Sequence, residues 1–244
     1  VSAIEAENPE NVKMVEASAS RKGKKKDLSS ASPSFFGTIF SSQYACHLWW
    51  YFIMDSWNIT FFINYLPWAE WLTSNDLQRT SFWVNMWAFS QFAGAPLAML
   101  VGLFYDMKKK SYERKTGDPT TALLRACSAT IIITTSVGVM ATFLSSYKIE
   151  SLQWLTFILQ LTFRACLYGN HAQALQLLYP QELFGKLYGF SVIPTFIGAE
   201  AAGHIVKMAT GYGIEFSLIY KVFTGLLATA YVFPIYLHLK SKTL

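Results

Sequence analysis

The sequence predicts an all-α membrane protein, a bundle of six transmembrane helices. Composition points there first: 52% of the residues are hydrophobic and 14% charged, against roughly 25% charged in an average soluble domain. The charges also cluster, in Arg21–Lys26, in Lys108–Lys115 and at Lys240 and Lys242. Between these blocks run six apolar stretches, each near the roughly 20 residues that a helix needs to cross hydrocarbon.

Taken in order, residues 1–34 are rich in Ser, Lys, Glu and Ala and show no apolar period, so a flexible cytosolic linker is expected there. The six-helix bundle is expected over 35–244. Its helices are expected at about 39–66, 81–105, 121–147, 152–179, 187–209 and 216–239. Pro67 and Asp76 mark the first loop. Gly117, Asp118 and Pro119 precede the third helix, Pro180, Gln181 and Glu182 follow the fourth, and Gly211, Tyr212 and Gly213 separate the last two.

Lysine and arginine bias sets the expected orientation. The basic clusters fall before the first run, between the second and third, and at the C-terminus, with Lys186 between the fourth and fifth; the opposite loops hold Arg79 and Lys148. The first set is assigned to the cytosol. Trp49, Trp50, Trp68 and Trp71 are candidate interfacial anchors. The net charge of +5 accompanies no basic stripe with interleaved stacking aromatics, so nucleic-acid binding is not indicated. Cys46, Cys127 and Cys166 lie inside apolar runs and read as small buried thiols. No signal-peptide pattern opens the chain, which reads as the later part of a longer protein. Asn58-Ile59-Thr60 matches a glycosylation sequon, but inside a spanning helix no glycan can be added.

A charge at the bilayer centre costs roughly 2.5–3.5 kcal/mol on insertion scales, so ionisable residues there face a cavity or a partner. Asp55, Arg164 and Glu200 each fall near the middle of a run. Helical spacing extends each into a stripe: Gln43, His47, Tyr51, Asp55 and Asn58; Gln160, Arg164, Tyr168 and His171; Glu200, His204 and Lys207. Each stripe has two readings. Arg164 either pairs with Asp55 or Glu200 to fix helix packing, or contacts substrate in a polar pathway. For His47, His171 and His204, hydrogen bonding between helices is expected. No metal-ligand spacing, phosphate loop, nucleophile elbow or HExxH motif is present, so no enzyme activity, cofactor or metal is expected. Gly94, Ala98 and Gly102 form a ridge that would let another helix approach closely.

Some stretches carry a more specific signal. Gly102-Leu103-Phe104-Tyr105-Asp106, followed by Lys108, Lys109 and Lys110, is similar to the loop motif of the major facilitator superfamily, with Met107 where that motif has arginine. Leu152–Gln160 with Arg164 and Leu167-Tyr168-Gly169, Phe184–Gly189, Ala88–Phe92 and Arg114–Gly117 resemble solute carrier family 43. The resemblance covers nearly all of the chain after the linker. It implies that the six helices are the C-terminal bundle of a twelve-helix facilitator working by alternating access, whose substrates are large neutral amino acids or, in another member, purine nucleobases.

The resulting expectation is the C-terminal half of a multi-pass, plasma-membrane amino acid facilitator, with both ends cytosolic. Its partners would be the lipid bilayer and the N-terminal six-helix half. Arg164, Asp55, Asn58, Gln91 and Tyr168 are the candidate substrate contacts; Asp106, Lys108 and Glu200 are the candidate gating residues. A purine nucleobase facilitator and a non-transporting membrane scaffold are the alternatives.

Overall fold

A computed structural model describes residues 34–243; the linker expected over 1–34 lies, apart from Ser34, outside them. The described chain is helical throughout: α1 Phe35–Ile39, α2 Ser42–Ile63, α3 Tyr65–Thr73, α4 Leu77–Ser90, α5 Gly94–Thr116, α6 Pro119–Ser145, α7 Gln153–Leu178, α8 Phe184–Gly211, α9 Phe216–Ala228 and α10 Val232–Lys240.

The helix ends follow local chemistry. The Ser41 side chain caps α2 by accepting from the Tyr44 N–H, and Asp76 caps α4 through the Arg79 N–H. Asp118 caps α6, accepting from the N–H groups of Thr120 and Thr121 at 3.3 and 2.7 Å, with Pro119 at the first helical position. Gly117 ends α5 at φ +68°, a left-handed conformation that glycine adopts without strain.

Two boundaries differ from the sequence expectation. Pro67 does not mark a loop: it sits in the first turn of α3, where its missing N–H has no helical acceptor to lose. The Asp106–Lys110 motif does not follow a helix end either. It lies inside α5, which continues to Thr116 through good helix formers and a Lys109–Glu113 pair one turn apart at 3.9 Å.

Among the described residues three helical stretches, Pro119–Ser145, Gln181–Met208 and Phe216–Lys240, are long and apolar enough to cross a membrane by length and composition. The other runs fall short for physical reasons. Polar stripes lower the hydropathy of α2 and α7, and the α4–α5 run is broken in the middle and carries charge at its end.

Helix α6 is the hub, packed by α5, α7, α9 and α10, while α2 packs on α8 and α10. Buried Thr130, Thr134, Thr135, Thr142 and Ser145 return their hydroxyls to carbonyls one turn back, so α6 presents a smooth face. Trp50, fully buried, donates to the Thr135 hydroxyl at 2.9 Å, and Trp68, equally buried, to the Ser145 carbonyl at 3.0 Å. Neither is an interfacial anchor. Trp49 is exposed, and Trp71 lies under the Lys148 ammonium. Tight contacts need glycine at two places: a Cβ on Gly138 would meet Phe163 and Met54, and one on Gly198 would meet Phe52 and Ser56. Gly94 and Gly102 have open space around them, so the expected small-residue ridge receives no helix among the described residues.

The two ends of the bundle contrast. One gathers Lys108–Lys115, Lys186 and Lys240. At the other, Arg79 pairs with Glu150, which also accepts from the Trp83 indole at 3.2 Å.

Candidate functional site

The α4–α5 run breaks at a 3-10 turn, Gln91–Ala93. Pro96, in the first turn of α5, has no N–H to give the Phe92 carbonyl, so a continuous ladder is impossible there. The Ser90 hydroxyl and the Gln91 amide both donate to the Trp87 carbonyl, at 2.6 and 3.3 Å. This leaves the Gln91 side-chain oxygen facing α7.

Arg164, half-buried on α7, donates from Nη1 to that oxygen at 2.7 Å. Its guanidinium also lies over the Phe62 ring, 4.8 Å from the centroid, a cation–π contact. One turn on, the Tyr168 hydroxyl accepts from Asn58 Nδ2 at 3.1 Å. Asn58 also approaches the Asp55 carboxylate at 3.5 Å, and the Tyr51 and Tyr168 hydroxyls face the same carboxylate. Asp55 is 3% exposed, so these neutral groups satisfy a carboxyl that water does not reach.

Arg164 and Tyr168 separate two openings. One, of about 370 Å³, is lined by Gln91, Gly94, Leu161, Ala165 and Gly169 as well. The other, of about 200 Å³, is bounded by Asn58, Ile59 and Phe62. Arg164, Asp55, Asn58, Gln91 and Tyr168 therefore form one cluster.

Other expectations are corrected. Arg164 has no carboxylate within ion-pair distance among the described residues: neither Asp55 nor Glu200 contacts it directly, and Asp55 feels its charge only from farther away. Glu200 points away on an exposed face of α8 and pairs with His204 at 3.1 Å, one turn along the same helix. Among the described residues His204 thus makes no bond between helices. His47 and His171 do: His171 Nδ1 lies 3.2 Å from His47 Nε2, and His171 Nε2 lies 2.9 Å from the Ser191 hydroxyl. Asp106 is exposed on α5, and the Lys108 ammonium lies over Phe104. Among the cysteines, Cys127 and Cys166 are buried and Cys46 is half-buried. No group of three or more metal-ligating side chains occurs among the described residues.

Sequence reasoning missed Phe62, which lies four residues beyond Asn58 on the same face as the polar stripe; its helical spacing was the available signal. It also missed Arg125, a cation inside the third apolar run.

Over 163 residues, 65% of its length, the chain is 32% identical to equilibrative nucleobase transporter 1 of Bos taurus. Over that stretch the chain is a distant homologue of this transporter, itself a member of solute carrier family 43. It spans about a third of the length of this curated relative, 33%. No family model matches the chain, and no solved structure does. Three helices long and apolar enough to cross a membrane, together with the partial homology to a transporter, identify a multi-pass membrane protein.

Proposed function

We propose that the chain forms the C-terminal half of a facilitative transporter for purine nucleobases, with substrate bound against Arg164. The observation that carries this reading is the state of the guanidinium: a neutral amide holds it, an aromatic ring backs it, and space lies on both sides. A cation without a counter-ion can donate to the carbonyl and ring-nitrogen edge of an uncharged base. Phe62 and Tyr168 offer ring faces for stacking, and Gln91 and Asn58 offer amides. The similarity to a nucleobase transporter supports the same choice.

An amino acid would also need an acceptor for its ammonium. Asp55 is the nearest carboxylate, and it is enclosed by Tyr51, Tyr168 and Asn58. Here Asp55 orients Tyr168 and Asn58 and does not touch substrate. The amino acid reading that the sequence favoured is therefore the weaker one.

Transport by alternating access requires a second six-helix half beside this one, with the substrate held near the membrane midplane between the two. The exposed Glu200–His204 face of α8 is suited to meet it, because a charged stripe facing lipid would be unfavourable. Asp106 and Lys108 lie toward the basic end, where they would act in a cytosolic gate. The site of action would be the plasma membrane.

The test is uptake of radiolabelled adenine and leucine, in parallel, by cells expressing the protein, with Arg164→Ala as the comparison. Adenine uptake that is lost in the variant, at equal surface expression, is the expected result. Leucine uptake lost in the variant would return the assignment to amino acids. Entry of neither solute would favour a scaffold.

A further inference from the structure

Arg125 lies about 9 Å from the start of α6, at roughly 1.5 Å of rise per residue, on a helix long and apolar enough to cross a membrane and near its basic end. Its Nε is buried and has no hydrogen-bond partner, and the guanidinium makes no ion pair among the described residues. A buried donor left unpaired costs free energy, so it points to a ligand outside the chain.

The surroundings describe that ligand. Arg125 lines a cavity of about 310 Å³ with Tyr112, Ser128, Ala129, Ile132 and His238. The three helices α5, α6 and α10 each contribute one polar group near an end: Tyr112, Arg125 and His238. All three ends belong to the basic end of the bundle. Ser128 already donates to the Pro234 carbonyl at 2.8 Å, so its hydroxyl fixes the α6–α10 contact. No carboxylate lines the cavity among the described residues. The nearest acids in sequence are engaged elsewhere: Glu113 with Lys109, and Asp118 with the first turn of α6. Ala129 and half-exposed Ile132 form an apolar wall directly below the cation.

We propose that this cavity binds a phosphate group, with Arg125 as the principal donor and Tyr112 and His238 closing around it. Planar guanidinium donors match phosphate oxygens, and the depth and apolar wall match a phosphodiester that carries acyl chains. The membrane-spanning reading underlies this assignment; the identity of the transported solute does not enter it.

The test is thermal unfolding of the purified protein in detergent with dioleoylphosphatidylglycerol, dioleoylphosphatidylcholine or inorganic phosphate added. Phosphatidylglycerol should raise the midpoint by about 5 °C at saturation. Arg125→Gln should abolish the rise, while Lys148→Gln at the opposite end should keep it. A rise with phosphatidylglycerol alone assigns the group to a lipid, and an equal rise with inorganic phosphate assigns it to a soluble anion. If Arg125→Gln does not fold, Tyr112→Phe and His238→Gln should each reduce the rise at least twofold. An unchanged rise in the Arg125 variant, or in both of these substitutes, would overturn the proposal, as would no response in the wild-type protein.

Discussion

Arg164 on α7 and Gln91 in the break between α4 and α5 are joined by a 2.7 Å hydrogen bond from the guanidinium to the amide oxygen. Among the described residues no carboxylate lies within ion-pair distance of the cation, so a neutral partner orients it. That state is useful for binding an uncharged solute, because a carboxylate partner would compete for the same donors.

Changing that relationship from either side should stop uptake. Arg164→Ala should reduce adenine uptake at least tenfold, which corresponds to about 1.4 kcal/mol of lost interaction. Arg164→Lys should recover little of it, since an ammonium cannot reproduce the planar fork. Gln91→Glu should also lower uptake by turning the neutral partner into a counter-ion. Normal kinetics in Gln91→Glu would mean that neutrality of the partner is irrelevant.

Asp55→Asn separates a supporting role from direct contact. The carboxylate lies among Tyr51, Tyr168 and Asn58 and is 3% exposed. The variant should keep its adenine KM within about threefold and lose about 1–3 kcal/mol of stability from the disrupted buried network. A large KM change at unchanged thermal stability would place Asp55 in contact with substrate.

Glycine is needed at Gly198 for a reason that can be isolated. A Cβ there would meet Phe52 and Ser56 across the α2–α8 contact, whereas one on Gly189 of the same helix would meet open space. Gly198→Ala should destabilise by about 1–3 kcal/mol through overpacking. Gly189→Ala should be neutral or stabilising by up to about 1 kcal/mol, through helix propensity. Equal unfolding midpoints for the two variants would contradict the close α2–α8 approach.

The start of α6 should respond to acid. The Thr121 hydroxyl and N–H, and then the Thr120 N–H, hold the exposed Asp118 carboxyl below its usual range. A depressed carboxyl stabilises the fold above its unfolded pKa of about 4 and loses that contribution as pH falls through the lower folded value. Asp118→Asn keeps a capping oxygen but cannot titrate. Its unfolding midpoint should therefore depend less on pH below about pH 4 than that of the wild type; identical profiles would remove Asp118 from the acid response.

Much of the site was legible because helical spacing alone puts Asp55, Asn58, Arg164 and Tyr168 on facing stripes. Gln91 joined them in the sequence reading only as a residue of a recognised stretch. What places it beside Arg164 is the α4–α5 break, and the sequence signal for that break was Pro96. Pairings between stripes were not legible. A stripe gives the face of a helix but not its rotation against neighbours, so Asp55 or Glu200 was an equally reasonable counter-ion for Arg164. Rotation turns Glu200 outward, where His204 is its nearest partner. The span lengths were blurred for a related reason: the residues that form the site are those that lower the hydropathy of α2 and α7.

Gln91 uses both ends of one amide. Its nitrogen donates to the Trp87 carbonyl, and its oxygen receives Arg164. The same side chain therefore closes the end of one rod and latches another. Because the latch is tied to α4, α5 can swing about the Gln91–Ala93 joint, carrying Asp106 and the lysines, while the guanidinium stays held. Movement at the charged tip is thereby mechanically separated from the grip on the guanidinium, with a single glutamine as the fixed pin.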